Sequence, residues 1–174
     1  LPSPFHQPTG NSSEFWVKPY LELFRLIRHF GSLKFDELKI FGLQLVDYRE
    51  FDAIVEKINK FRIAKAQNEG RYKIFRAQCF DRELKEIYSV DIISGKTQTR
   101  ETDDTSIARF LTTKASNMRD YADACVRYLR ATGLVNISHL GKSMSIVPEK
   151  VQDVDYFLQH TDREPCFIDN ENKY

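Results

Sequence analysis

The amino-acid sequence predicts a mainly α-helical fold that carries a small β-hairpin. Apolar residues recur at helical spacing through much of the chain. No proline occurs between Pro19 and Pro148, so this interval is free of the residue that most often interrupts helices. Residues 130–148, which read RATGLVNISHLGKSMSIVP, pass from a charged amphipathic segment into two short segments of alternating polarity. This last pattern predicts a helix that ends just before a hairpin.

Three helices with short connections are predicted for the first part of the chain. The first begins at Pro19, because proline suits a first helical turn, and ends at Gly31. The second is expected to use Ser32 as its N-cap and to continue through Leu45, and the third follows Asp47. Their apolar stripes are Tyr20, Phe24, Ile27 and Phe30, then Phe35, Leu38, Phe41 and Leu45, then Phe51, Ile54, Val55, Ile58 and Phe61.

Two further helices flank a segment that is less regular. Residues 71–86 form one predicted helix, and residues 107–131 form the other. Between them, residues 89–105 (SVDIISGKTQTRETDDT) are polar and interrupted by glycine, which favours a loop or a weak strand. The inward residues are predicted to be Tyr72, Phe75, Cys79 and Phe80 in the first helix and Met118, Tyr121, Cys125, Tyr128 and Leu129 in the second.

The hairpin defines the predicted architecture more closely. Gly133 ends the preceding helix, and Gly141 supplies the conformational freedom of a tight turn. Val135, Ile137, Met144 and Ile146 are expected to face the core. A helix followed at once by a hairpin, together with the turn FGSLKFDEL between the first two helices, indicates a winged helix-turn-helix-like domain with a helical insertion.

This domain is predicted to span residues 19–148. Residues 1–18 contain Pro2, Pro4 and Pro8 and are expected to form an extended lead-in or linker. Residues 149–174 hold seven acidic and three basic residues and are expected to form an acidic tail or linker. The chain starts without methionine, so we expect it to be a piece of a longer polypeptide.

The composition is that of a folded, water-soluble chain, with 41% hydrophobic and 29% charged residues. No apolar run approaches the roughly 20 residues of a membrane span, so a cytoplasmic monomer without membrane contact is expected. The three cysteines, Cys79, Cys125 and Cys166, are odd in number and widely spaced, which fits reduced thiols.

The net charge of +1 hides an uneven distribution. Because residues 149–174 are acidic, residues 1–148 carry 23 basic and 18 acidic residues. The densest basic stretch is residues 60–76, where six lysines and arginines accompany Glu69 alone. Such a stretch favours contact with nucleic acid, but it is equally compatible with a solvated helix surface.

The candidate DNA-binding residues fall in three groups. The start of the helix before the hairpin offers side chains for base edges or phosphates, because arginine pairs with guanine and asparagine with adenine. The basic stretch is better suited to the phosphate backbone, and a lysine at the hairpin turn would lie beside it. Helix caps and surface ion pairs are the open alternative for the first group. The three groups are Lys114, Ser116, Asn117 and Arg119, then Lys65, Arg71, Lys73 and Arg76, and finally Lys142.

The sequence predicts no catalytic residue and no metal site in this fragment. Two acid-x-lysine matches, at residues 36–39 and 81–85, resemble part of a magnesium nuclease site, but both fall in helical patterns. The histidines, His6, His29, His139 and His160, lack the spacing of metal ligands. No phosphate-binding glycine loop occurs, and no cofactor is expected in this fragment.

The ordered set of segments resembles the DNA-recognition region of the AlwI-like type IIS restriction and nicking endonucleases. The resemblance covers about residues 1–150 and is carried by the segments LPSPFH, FWVKP, LFRLIRHFGSLKFDELKIFGL, EFDAIVEKINKFR, NMRDYADACVRYLRATGLV and VPEK.

The resemblance implies a winged-helix subdomain that reads a short asymmetric site in double-stranded DNA. It also implies that a separate nuclease domain, with Mg²⁺, cleaves the DNA, and that a second nuclease subunit or domain is a possible partner. The parent protein would then be a restriction endonuclease, a hydrolase. Two alternatives stay open, a helical or winged-helix protein-interaction module and a self-contained Mg²⁺-dependent nuclease. The latter would require Glu37 or Glu83 to lie at the edge of a sheet.

Overall fold

The computed structural model describes residues 17–93, 104–138, 140 and 142–164. The described part is mainly helical and contains one small antiparallel sheet, as the sequence predicts. The helices are α1 (Pro19–Phe30), α2 (Phe35–Ile40), α3 (Phe51–Gln67), α4 (Tyr72–Ile87), α5 (Ser89–Ile93), α6 (Asp104–Ala131) and α7 (Val151–His160). The strands are β1 (Leu33–Lys34), β2 (Val135–Ile137) and β3 (Ser143–Ile146).

Helix α1 forms as the sequence predicts. Pro19 occupies the first turn, where its missing N–H has no helical acceptor to lose. Gly31 ends the helix with a φ of 68°, a conformation that residues with a Cβ rarely adopt. The buried face includes Leu26 and Ile27, both fully inaccessible to solvent. This helix therefore lies at the centre of the core.

The predicted bounds of α2 are wrong at both ends. Lys34, not Ser32, occupies the N-cap position, and the carboxylate of Glu37 accepts a hydrogen bond of 2.8 Å from the Lys34 backbone N–H. The helix stops at Ile40 rather than Leu45, and the chain continues as a 3-10 turn over Gly42–Gln44. A Cβ at Gly42 would meet the Leu38 side chain at 3.1 Å, so the turn packs closely against the helix that precedes it.

The predicted third and fourth helices are confirmed as α3 and α4. Asp47 accepts a hydrogen bond from the Arg49 backbone N–H and so begins a 3-10 turn that leads into α3. The loop or weak strand predicted for residues 89–105 is wrong where the chain is described, because Ser89–Ile93 form α5 and α6 already begins at Asp104. Residues 94–103 lie outside the described part.

The predicted hairpin is confirmed, and it belongs to a larger sheet. In the described residues the strand order is β1-β3-β2, and both pairings are antiparallel. Val135 lies opposite Ile146, and Leu33 of β1 lies opposite Met144. Strand β1 was not predicted, because two residues are too few to show an alternating pattern. The predicted turn residue Gly141 lies outside the described residues.

The inward face predicted for α6 is correct except at one position. Met118 and Leu129 are buried, and Tyr121 and Cys125 are half-buried. Tyr128 is 52% exposed and meets the ring of Tyr20 edge-on, with 5.8 Å between centroids. The prediction for Tyr128 is therefore wrong. This residue lies at the edge of the apolar stripe of α6, where one side of its ring is exposed to solvent.

Helix α7 lies within the segment that the sequence predicts to be an acidic tail or linker. Residues Val151–His160 pack on α1, with Val154 and Leu158 buried. Beyond the helix, the guanidinium of Arg163 donates two hydrogen bonds, of 3.0 and 2.6 Å, to the buried carboxylate of Glu22. At least residues 151–164 are thus part of the fold rather than a free tail. Residues 165–174 lie outside the described part, and the predicted domain boundaries stay predictions.

None of the described helices combines the length and the apolar content that a bilayer-spanning segment needs.

The pair between Arg163 and Glu22 predicts a measurable contribution to stability. In Arg163→Met, the Glu22 carboxylate is left with the more distant Arg25, at 3.6 Å, and the free energy of unfolding should fall by about 2 kcal/mol. Urea denaturation measures this change. The control is Arg28→Met, which removes the exposed pair between Arg28 of α1 and Asp155 of α7 and should have a much smaller effect. Equal effects of the two substitutions would contradict the prediction.

Candidate nucleic-acid interface

Helices α2, α4 and α6 contact one another and bring charged side chains from all three to one place. Asp36 of α2 accepts a hydrogen bond of 2.7 Å from the Tyr72 hydroxyl and forms an ion pair of 3.3 Å with Arg76 of α4. Lys39, one turn after Asp36, places its Nζ 4.5 Å from the centre of the Phe80 ring of α4. Arg119 and Asp123 of α6 lie near enough to Lys39 to act on it electrostatically. We call Asp36, Lys39, Tyr72, Arg76 and Arg119 the junction cluster.

Two side chains of the junction cluster have shifted pKa values. Burial lowers the pKa of Lys39, and the positive charges of Arg76 and Arg119 lower it further, against the opposing effect of Asp36. Burial and the hydrogen bond to Asp36 both raise the pKa of Tyr72. The cluster therefore holds three cations and keeps the Tyr72 hydroxyl protonated, so that it serves as a donor.

The predicted contacts on α6 point in different directions. Ser116 and Arg119 are exposed and lie about 60° apart around the helix axis, so they share one surface. Asn117 is also exposed, but it lies about 200° from Arg119. Lys114 is half-buried, with its Nζ 4.9 Å from the centre of the Tyr88 ring. Ser116 and Arg119 are thus the pair that one ligand surface can reach together.

The basic stretch between α3 and α4 is less free than its composition suggests. Arg62 is directed inward to Glu37, and Lys60 pairs with Glu56 at 2.6 Å. The other four basic residues are the predicted contacts. Lys65 lies over the Tyr72 ring at 4.6 Å, Arg76 belongs to the junction cluster, and Arg71 and Lys73 are exposed at the start of α4.

At the hairpin, Lys142 directly precedes β3, and Lys34 lies on the neighbouring strand β1. Lys142 is exposed, and its carbonyl accepts a hydrogen bond of 3.0 Å from the Phe35 backbone N–H. Lys34 of β1 is also exposed and lies beside Ser143, with 3.5 Å between its Nζ and the Ser143 Oγ. Sequence reasoning missed Lys34, because its position beside the hairpin depends on a strand pairing between residues more than one hundred positions apart.

Both acid-x-lysine matches lie on helices, and their central carboxylates are occupied. Glu37 receives two hydrogen bonds of 2.8 Å from Arg62. Glu83 receives hydrogen bonds of 3.1 Å from Gln44 and from Lys57. Neither carboxylate lies at a sheet edge, which is the placement that a self-contained nuclease would require. The two matches are therefore structural elements of the helical core.

The described histidines are exposed and contact aromatic rings, and the described cysteines are buried or half-buried. His29 meets the ring of Phe30 edge-on, and His160 stacks on Tyr156. Cys79 and Cys125 are free thiols whose pKa values are raised by burial. Among the described residues, no three side chains of the metal-ligating types come together. His6, His139 and Cys166 lie outside the described part.

Comparison with protein families identifies the class to which this helical chain belongs, which is the restriction endonucleases. The model of the AlwI restriction endonuclease family matches residues 3–174, and the chain belongs to this family. DNA is the substrate that membership implies. No curated protein matches the chain.

The structural role of Glu83 is testable with a control on the same helix. Glu83→Gln should lower the free energy of unfolding by roughly 1–2 kcal/mol, because two charge-assisted hydrogen bonds are weakened in a buried place. Glu86→Gln removes an exposed carboxylate 4.0 Å from the same Lys57 and should change it by less than about 0.5 kcal/mol. Denaturation with urea compares the two variants. A Glu83→Gln protein of unchanged stability would contradict the structural assignment.

Proposed function

We propose that this chain is a sequence-specific recognition domain for double-stranded DNA, of winged-helix type, in a type IIS restriction or nicking endonuclease. The observation that carries the proposal is the order of elements around the sheet. A long helix, α6, runs directly into the β2–β3 hairpin, and β3 also pairs with β1, which follows α1.

This order matches that of a winged helix-turn-helix domain with an insertion. In such a domain a helix, a short strand and a second helix precede the recognition helix, which is followed by the hairpin called the wing. Here α1, β1 and α2 come first, α6 takes the place of the recognition helix, and β2 and β3 form the wing. Helices α3, α4 and α5 are then the insertion. The contact of α6 with α2 supports the assignment, because the second helix of the motif packs on the recognition helix.

Exposed lysine and arginine side chains supply the affinity for DNA. Arg71, Lys73 and Lys142 are exposed and form no ion pair with other described residues, so they are available to displace counterions from phosphates. Readout of bases is assigned to Ser116 and Arg119, which share one surface of α6, with Asn117 on its other flank. Lys65 and Lys114 lie over aromatic rings, and we assign them to the border of the surface.

Cleavage is assigned to a separate domain of the same enzyme or to a second subunit. A Mg²⁺-dependent nuclease site needs carboxylates that are free to bind the ion. The support for a separate site is that the buried carboxylates described above are committed to internal ion pairs. The enzyme is expected to act in the cytoplasm, where its DNA substrate is found.

Selection from a randomised pool of duplexes tests the recognition function. Fluorescence anisotropy at two salt concentrations should show binding that weakens with salt, and sequencing of the bound fraction should yield one short asymmetric site. Arg119→Ala should reduce discrimination at one position of that site by roughly 1–3 kcal/mol.

The control is Lys85→Ala, which removes an exposed positive charge on α4 that pairs with Asp81. This variant should select the same site with the same preference. Binding without enrichment of any site would overturn sequence-specific recognition. Salt-insensitive binding of a protein partner, with no affinity for DNA, would favour the interaction-module alternative instead.

A further inference from the structure

Lys39 is the lysine of the acid-x-lysine match at residues 36–39, and the sequence does not single it out as a DNA contact. Its side chain is half-buried between three helices, with the Nζ over the Phe80 ring. Phe80 lies one turn after Arg76 on α4, so the ring and the guanidinium share a face. Asp36, which pairs with Arg76, lies one turn before Lys39 on α2. The ammonium group thus lies at the point where α2 and α4 meet α6.

The position of the Lys39 ammonium group is unfavourable for a positive charge. Three positive groups, on Lys39, Arg76 and Arg119, are opposed by two carboxylates, on Asp36 and Asp123. Asp36 is already shared with Tyr72 and Arg76. An additional anion at this point would relieve the repulsion and would meet an ammonium group that has already lost part of its hydration.

We propose that Lys39, together with Arg76, binds one phosphate group of the DNA backbone beside the base-reading Arg119. The proposal rests on the recognition function proposed above and adds a contact to it. Arg119 is exposed, and the Arg76 side chain is 42% exposed, so both guanidinium groups are accessible to a duplex that lies along α6. Guanidinium groups bind phosphate oxygens in pairs, whereas Lys39 supplies a single charge.

Binding of this phosphate would make the helical insertion part of the DNA-recognition surface. Arg76 belongs to α4 and Arg119 to α6, and Lys39 of α2 lies between them. Asp36 of α2 holds two side chains of α4 in place, Arg76 by an ion pair of 3.3 Å and Tyr72 by a hydrogen bond of 2.7 Å. A phosphate held by α2 and α4 would fix the position of the duplex relative to Ser116 and Arg119 of α6, because backbone contacts determine register while base contacts determine sequence.

The test compares Lys39→Met with the unaltered chain, with a randomised duplex as the probe. The slope of the logarithm of the binding constant against the logarithm of the salt concentration should become less negative by about 0.9, which is the loss of one phosphate contact. The enriched base sequence should stay the same. Methionine keeps an apolar stem over Phe80 and removes the costly charge, so the urea midpoint at neutral pH should stay unchanged or rise.

The pH dependence of stability follows from the same position. The pKa of Lys39 is lower in the folded chain than in the unfolded chain, so the folded state favours the neutral amine. The unaltered chain should therefore gain stability, relative to Lys39→Met, as pH rises from the lowered pKa to the ordinary lysine value of about 10.5. An equal gain in stability in both proteins would overturn the conclusion that the Lys39 charge is unfavourable in the folded state.

Two further variants sharpen the comparison. Lys39→Arg keeps the charge and should retain the salt slope of the unaltered chain. Lys85→Met makes the same substitution at an exposed site on α4 and should also retain it.

Each outcome bears on a different claim. An unchanged slope in Lys39→Met, with DNA binding intact in the parent, overturns the phosphate site alone. A lower urea midpoint also overturns it, because Lys39 would then be a structural residue. Absence of salt-dependent DNA binding in the parent chain overturns the recognition function and the phosphate site together.

Discussion

The ion pair between Glu37 and Arg62 is the contact on which the arrangement of the sheet and the insertion depends. Glu37 is 3% exposed and accepts hydrogen bonds from Arg62 and from the Lys34 backbone, while Arg62 also donates to the Ser32 carbonyl. One carboxylate therefore begins α2, ends β1 and anchors α3. A buried charge with its partner in place is tolerated, whereas removal of either partner leaves an uncompensated charge. The pair thus specifies where the insertion lies against the sheet.

That arrangement determines which cations face outward. Because Arg62 points inward, the basic stretch presents its charge through Arg71, Lys73 and Arg76 at the start of α4. Helix α4 then contacts both α2 and α6, and this brings Arg76 to the junction cluster. In our account, docking to the duplex and readout of its bases therefore depend on the same packed core.

The sequence predicted elements whose signals are local, and it failed where the signal is tertiary. Apolar periodicity was sufficient for α1, α3, α4 and α6, because each buries a continuous stripe. The strand β1 is too short to show a period, and the acidic composition of α7 concealed its two buried residues. Arg62 was counted with the basic surface on the basis of local composition, because no residue near it in sequence indicates its pairing with Glu37. Lys39 was missed as a DNA contact for the same reason, because its neighbours come from three separate helices.

An NMR titration of ¹⁵N-labelled protein with the enriched duplex tests whether α6 is the recognition helix. We expect the largest chemical-shift changes at Ser116, Arg119 and Lys142, with smaller changes at Arg71 and Lys73. The amides of α7 should be little affected, because this helix packs on α1 and carries none of the assigned contacts. Changes confined to α7, with α6 and the hairpin unaffected, would contradict the assignment of α6 as the recognition helix.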